Sequence, residues 1–418
     1  MDGDPAVEPE LDSLSLTFPL PYRVAFIIVL AVWAWGINLH YLYLCGIDVP
    51  SLIRYPGRSS PHHPTHHLST YRLATVLSAF LAFALLVFWA FTRRDPDLVL
   101  AWDWLPLLYL AALLGLLAFA PPFFKSLSHG GRARLRATLR RICVGGLAEA
   151  KDGKFGDILL ADVLTSYAKV LADLFVALCM FFRSEAGASA TARPDRNCGG
   201  TFAVPLIMAV PSLIRLRQCL IEYGRVRRGR ITDASGWGGQ HLANALKYFT
   251  AFPVIVFSTL QRSSTGGQPP PAAYYRAWVV ACAVNSLYSF YWDVAKDWDL
   301  ALFDPQARSS PDLKGFGLRR RLHVGPPALY YAVVAADLLL RCTWSLKLSP
   351  HLGRMADWEG SIFAVELLEV FRRWVWIFFR VETEWIRNTS VPGFDAGDVA
   401  LPDYHNHNVP GPKYQDDD

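Results

Sequence analysis

Long uninterrupted apolar runs recur nine times along the chain, over residues 20–45, 71–92, 98–120, 157–183, 202–222, 241–261, 273–295, 326–346 and 361–382. Each can supply roughly 20 helical residues, the length that crosses ~30 Å of hydrocarbon. The runs are continuous rather than alternating, and lipid demands that backbone hydrogen bonds close within the segment. They therefore predict helices and not strands. The ninth, Ser361 to Trp385, reads SIFAVELLEVFRRWVWIFFRVETEW and differs from the rest. At ~100° per residue, Glu366, Glu369, Arg373, Arg380 and Glu384 fall within ~60° of arc, while Arg372 projects to a neighbouring face. An ionisable residue at the bilayer centre costs at least ~2.5–3.5 kcal/mol, so such a column must face protein or water. The expected fold is an all-α polytopic membrane protein, a bundle of about nine transmembrane helices around an intramembrane charged pathway.

Composition agrees. The chain is 52% hydrophobic and only 18% charged, below the quarter usual in soluble domains, with a mean hydropathy of +0.22. Loops after the odd-numbered runs, with the C-terminal tail, hold 22 Lys and Arg, against seven on the opposite side, or eight with Arg183 at the end of the fourth run. The positive-inside rule then makes the first group cytosolic, which puts the N-terminus in a lumen or outside and the C-terminus in the cytosol. Asn388-Thr389-Ser390 would be a cytosolic sequon, unmodified. The acidic start (Asp2, Asp4, Glu8, Glu10, Asp12) is unlike a signal peptide, so the first run is expected to be a retained span with no soluble domain before it. Four regions follow: an acidic lumenal stretch 1–19, scaffold helices with a basic cytosolic loop 20–156, a core bundle 157–385, and a disordered cytosolic tail 386–418. Residues 123–150 read either as a basic helix on the cytosolic leaflet or as a solvated loop. The seven cysteines show no CxxC or regular spacing, and predict neither a disulfide framework nor a zinc site.

Charges inside other runs pattern like the ninth. The fourth carries Asp162, Lys169 and Asp173 on one helical face; the fifth, Arg215 and Arg217; the sixth, His241, Asn244, Lys247 and Tyr248. The seventh ends with Asp293 and Asp297 one turn apart, and the eighth has Asp337, Arg341 and Trp344 on one face. Any one of these, Asp297, Arg217 and Arg380 above all, reads alone as an end-of-helix charge reaching for the interface. Six consecutive spans doing so points instead to a shared interior site. Arg forks match oxyanion oxygens, Lys is a compact charge, and Tyr donates a hydroxyl hydrogen. Interleaved Asp and Glu would hold the cations and keep an anion from being trapped. This chemistry reaches an oxyanion pathway and does not choose phosphate over sulfate.

The motifs GIN (Gly36–Asn38), ADVL (Ala161–Leu164), RLRQCL (Arg215–Leu220), HLANALKY (His241–Tyr248), YWDVAKDWDLALFD (Tyr291–Asp304), DLLLRCTW (Asp337–Trp344) and EVFRRWVWIFFRVETE (Glu369–Glu384) resemble the EXS domain, the membrane domain of eukaryotic phosphate exporters. The resemblance covers nearly the whole chain. It implies a phosphate pathway of Asp162, Arg215, Lys247, Tyr248, Asp293, Asp297, Arg341, Trp344, Glu369, Arg372 and Arg373, with Arg217 as the competing match for Arg215. No SPX domain, the exporters' inositol-pyrophosphate sensor, is expected, and one span before the GIN helix is absent. In this the chain resembles the short fungal Golgi member, which returns lumenal phosphate released by glycosylation to the cytosol. That member is tied to retention of glycosyltransferases and of resident endoplasmic-reticulum proteins.

The resemblance thus implies a Golgi-membrane transporter of inorganic phosphate. Other readings stay open: a plasma-membrane exporter, or a sorting adaptor without transport. Candidate partners are the bilayer, a second copy of the chain and a cytosolic Golgi sorting adaptor; nucleic acid, cofactors and metals are not expected. His62, His63, His66 and His67, with His405 and His407, read as linker rather than a metal site, and the glycines at Gly236–Gly239 and Gly266–Gly267 read as turns. No nucleophile elbow, kinase set or metal-hydrolase motif is present, so no enzyme is expected.

Overall fold

The computed structural model describes residues 13–54, 66–119, 127–183, 189–229, 236–262, 271–304, 313–314, 316–343 and 358–389. Trp344, His62, His63, His405, His407 and the 390–418 tail lie outside the described residues, as do Met1 to Leu11 with Asp12. The chain runs α1 (Ser13–Thr17), α2 (Leu20–Leu44), α3 (Val49–Leu52), α4 (His66–Thr92), α5 (Pro96–Ala101), α6 (Trp104–Ala118) and α7 (His129–Arg140). Then follow α8 (Lys154–Ser166), α9 (Ala168–Phe182), α10 (Ala203–Arg227), α11 (Gly239–Phe249), α12 (Ala251–Arg262), α13 (Ala272–Trp292), α14 (Pro327–Arg341) and α15 (Glu359–Thr389). Between α13 and α14 a short antiparallel hairpin pairs Leu313 with Arg319 and Lys314 with Leu318.

In their described residues all nine apolar runs fall mainly on helix, and the protein is an all-α membrane protein. Among the described residues four stretches are long and apolar enough to cross a membrane: Leu20–Leu44, His67–Thr92, Ala203–Arg227 and Gly239–Gln261. The pair α8 and α9, bent by 63°, makes a fifth if it counts as one span. Helix α6 is apolar but short. The 98–120 run is divided by a cap at its start and a break after Ala101: Asp95 accepts from the Asp97 amide at 3.0 Å and Pro96 opens α5. Helix α15 is longer than its apolar run, with Glu359 in its first turn and Arg387 in its last, signs that suit the helix dipole.

Three interruptions matter for function. The α8–α9 break falls at Tyr167, and the α11–α12 break at Thr250, whose Oγ1 donates to the Lys247 carbonyl at 2.7 Å and to Asn285 Oδ1 at 2.9 Å. The third is a π turn, Asp293–Asp297, closed by the Trp298 amide on the Asp293 carbonyl at 2.8 Å. Such widened turns concentrate at functional sites. Discontinuous helices are tolerated at membrane depth only where the freed backbone groups find partners or line a cavity.

Connecting segments gather at two ends. At one end, Trp89 donates to the Thr17 carbonyl, Thr191 to the Val99 carbonyl, and Arg23 and Arg196 bind Glu359. At the other, Arg132 and Arg136 of α7 donate to the Leu116 and Ala118 carbonyls at the end of α6, and Arg134 to Ile53. Arg225 there binds the Leu147 and Ala148 carbonyls, and Arg319 binds buried Glu382. The basic stretch thus contains a helix, α7, three of whose arginines bind backbone carbonyls, while the following Arg141 pairs with Asp157.

One sequence expectation is corrected: Cys179 and Cys198 form a disulfide, with Cα atoms 6.0 Å apart. Irregular spacing concealed it, because the pairing depends on residues 189–198 packing against the end of α9, where the Asp195 amide meets Met180 Sδ at 3.3 Å.

Candidate functional site

Helices α8, α10, α11, α13, α14 and α15 each bring charge to one buried cluster, and Asp293 is its hub. Fully buried at the start of the π turn, Asp293 takes Lys247 Nζ at 2.8 Å on Oδ1 and the Arg341 guanidinium on Oδ2, with Arg372 Nη1 3.7 Å away. The widened turn sets Asp297 beside it, so that Lys247 Nζ also reaches Asp297 Oδ2 at 3.1 Å. One lysine therefore serves two carboxylates. Lys247 points there because it follows the buried Ala245 and precedes the α11–α12 break, on a helix that presents Lys247 and Tyr248 inward.

A second group joins α8, α10 and α11. Arg215 Nε donates to Asp162 Oδ1 at 2.7 Å and its Nη1 to Gln218 Oε1 at 2.6 Å. The Tyr248 hydroxyl donates to the same Asp162 oxygen, and the Arg215 guanidinium lies 4.8 Å from the Tyr248 ring centroid. Of the two competing matches, Arg215 is 3% exposed and joins this group, whereas Arg217 lies on the exposed side and donates to the Val144 carbonyl.

The third group stands on α15. Arg372 clasps Glu369 through Nε at 2.9 Å and Nη2 at 2.6 Å, and reaches across to Asp337 Oδ1 at 2.9 Å. Asp337 also accepts from Arg341 Nε at 2.9 Å, one turn along α14. That bridge explains why Arg372, off the main charged column, belongs to the site: its face is the one turned to α14.

Arg373 differs from every other cation here. It is 5% exposed, and its Nε donates to Ser166 Oγ at 2.9 Å and its Nη2 to Thr165 Oγ1 at 3.3 Å. Its guanidinium lies 4.6 Å over the Trp376 ring. Among the described residues no carboxylate comes within 4.0 Å of it, and Nη1 is buried without a hydrogen-bond partner. Ser166 Oγ donates in turn to Glu369 Oε1 at 2.6 Å. Glu369 is deep in the bundle, yet its side chain is 36% accessible, so it borders water-sized space inside the protein. A buried cation costs several kcal/mol when unpaired, and Arg373 is therefore the place in this cluster where an anion would be stabilised most.

Ten of the eleven residues implied by motif meet in this cluster; the eleventh, Trp344, is outside the described residues. Sequence reasoning left out Asp337, which bridges two of them, and the hydroxyls of Thr165 and Ser166. Arg380 reads from the sequence alone as an end-of-helix charge. Its Nη1 binds Glu384 at 3.0 Å, but its Nε also lies 3.9 Å from Asp297 Oδ1, at the edge of the site. Only Asp337 carried a signal, its i,i+4 spacing to Arg341.

The sequence profile of the EXS family matches residues 18–386. Protein ERD1 homolog 2 of Schizosaccharomyces pombe is 27% identical over 397 residues, covering 87% of this chain and 95% of that protein. Protein ERD1 homolog 1 of the same organism is 31% identical over 374 residues, covering 88% and 91%. Solute carrier family 53 member 1 of Mus pahari is 31% identical over 250 residues, 56% of this chain but 33% of that longer protein.

Proposed function

This chain belongs to the EXS family, and on that premise we propose that it carries inorganic phosphate across the Golgi membrane from lumen to cytosol. The pathway runs through Asp162, Arg215, Lys247, Tyr248, Asp293, Asp297, Arg341, Glu369, Arg372 and Arg373, with Trp344 completing it by resemblance. The observation that carries this reading is Arg373: a buried guanidinium with a free donor edge, flanked by two hydroxyls, beside accessible space at Glu369. Arg donors match phosphate oxygens in pairs, and hydroxyls satisfy the oxygens that remain. The two Schizosaccharomyces pombe ERD1 homologs align over 95% and 91% of their own length, which supports a short protein of their kind over the longer exporters.

Nine crossings with a lumenal N-terminus are part of the same proposal. The two-ended sorting of the connecting segments supports them. So does the position of the Cys179–Cys198 disulfide, at the end that the basic loops avoid, since disulfides persist in an oxidising lumen.

The test is phosphate uptake by the purified full chain in liposomes. Arg373→Ala is expected to abolish saturable flux, and Arg373→Lys to retain part of it, because a point charge replaces the fork. Wild-type flux in Arg373→Ala would overturn the reading. A protein that is folded, Golgi-located and inert in both forms would favour the sorting-adaptor alternative.

A further inference from the structure

Six charged side chains outside the cluster just described close the bundle toward its lumenal end, in two layers. In the outer layer Glu359, the first residue of α15 and 4% exposed, accepts from Arg23 Nη1 of α2 at 2.9 Å. It also accepts from Arg196 Nη1 at 2.6 Å and Nη2 at 3.0 Å, a two-pronged clasp. In the inner layer Lys169 Nζ of α9 lies 2.7 Å from Asp173 Oδ1 and 2.8 Å from Glu366 Oε1 of α15. Arg196 Nε, 3.9 Å from Asp173 Oδ1, joins the layers. None of the six belongs to the motif residues of the phosphate pathway.

Their position gives them a use. Glu366 precedes Glu369 by one turn on the same face, so the inner layer caps the accessible space that Glu369 borders. Lys169 keeps 28% of its side chain accessible, whereas Arg23 and Glu359 in the outer layer are almost fully covered. Three cations face three acidic side chains across the two layers. Once separated, each is a desolvated charge that water or an arriving anion stabilises. The members differ in what holds them. Arg23 and Glu359 stand on long packed helices, whereas Arg196 comes from the non-helical stretch 189–202, secured by the Cys198–Cys179 bond and by Thr191 on the Val99 carbonyl.

We propose that these two layers are the lumenal gate of the pathway. It opens as the Arg196 stretch withdraws from Glu359, and Lys169 is the cation that an oxyanion meets once past the outer layer. The assignment of this end to the lumen rests on the proposed topology, and the identity of the anion on the proposed function.

The test uses the full chain in liposomes, with the free cysteines Cys45, Cys143, Cys219, Cys282 and Cys342 replaced by Ser and Cys179–Cys198 kept. Ser166→Cys, beneath the gate, reports access to a membrane-impermeant thiol reagent added from either side. Glu359→Gln and Arg196→Gln are expected to raise labelling from the lumenal side at least about tenfold, the change that roughly 1.4 kcal/mol of lost latch energy produces. Arg196→Lys should give a smaller rise, and cytosolic-side labelling should stay as it was. Unchanged lumenal labelling, or an equal rise from both sides that marks general loosening, would overturn the gate. The reagent, not phosphate, is measured, so vesicles with a working gate and no phosphate flux would count against the transport reading alone.

Discussion

Lys247 offers a measurable test of how the site is held together. Its ammonium is the contact shared by Asp293 and Asp297, at 2.8 and 3.1 Å, and is 5% exposed. Lys247→Met keeps the length of the side chain and removes the charge. Asp293 retains Arg341 and, at 3.7 Å, Arg372, whereas Asp297 is left with Arg380 Nε at 3.9 Å. The damage therefore falls on Asp297. Removing one partner of a buried ion pair costs about 3–5 kcal/mol. Two carboxylates that share one ammonium at 2.8 and 3.1 Å have oxygens no more than about 5.9 Å apart, and at an effective dielectric of ~20 they repel by roughly 3 kcal/mol, an amount within that range. Lys247→Met should accordingly lose about 3–5 kcal/mol, and Lys247→Met with Asp297→Asn should recover about 2–3 kcal/mol of it. Equilibrium unfolding in mixed micelles, followed by tryptophan fluorescence, measures both variants and closes the double-mutant cycle with Asp297→Asn alone. Phosphate flux should be absent from all variants lacking Lys247, whatever their stability. A double variant no more stable than Lys247→Met would refute the shared-lysine arrangement.

Two further outcomes test the frame around the site. With Asn388 on the cytosolic side, glycosidase treatment should leave the mass of peptides containing Asn388 unchanged; a shift mapping there would reverse the topology. The Cys179–Cys198 bond should appear as a linked peptide pair in non-reduced digests, and Cys198→Ser should destabilise the protein by about 3 kcal/mol, the entropy of closing a loop of that size.

Much of the site was legible because membranes make charge conspicuous. Asp162, Lys247, Asp293 and Glu369 each interrupt an apolar run, and helical geometry turns them toward a common interior before any contact is known. What stayed hidden lies in pairing across distant chain positions. Asp337 could be seen on one face with Arg341, but nothing local shows that it also takes Arg372, 35 residues away. Thr165 and Ser166 are ordinary helix residues until the break at Tyr167 places them against Arg373. Asp297 read alone as an interfacial charge; the π turn, invisible to a 100° period, carries it inward to Lys247. The fold shows the same division. Every apolar run became helix, yet α13, α14 and α15 fail a strict length-and-apolarity test for crossing. α13 is diluted by tyrosine, serine and asparagine, α14 is short, and α15 devotes a face to the site.

The arrangement also bears on why the cluster is ionic on both sides. Arg215, Lys247, Arg341, Arg372 and Arg373 face Asp162, Asp293, Asp297, Asp337 and Glu369, so the cluster is close to neutral as it stands. A pocket of five bare cations would hold a dehydrated oxyanion too firmly to release it, and would not be stable empty. Here the carboxylates already satisfy four of the five, and an incoming anion must compete with them everywhere except at Arg373. In the proposed pathway, binding would begin at Arg373, unmatched by a carboxylate among the described residues, and spread by exchange: as the anion takes hydrogen bonds from Arg372 or Arg341, Glu369 or Asp337 would give them up. Each exchange replaces one charge-assisted bond by another of similar strength, so the anion passes between near-equivalent partners without a deep well. Conduction requires the same balance, entry favourable enough to occur and exit shallow enough to be fast.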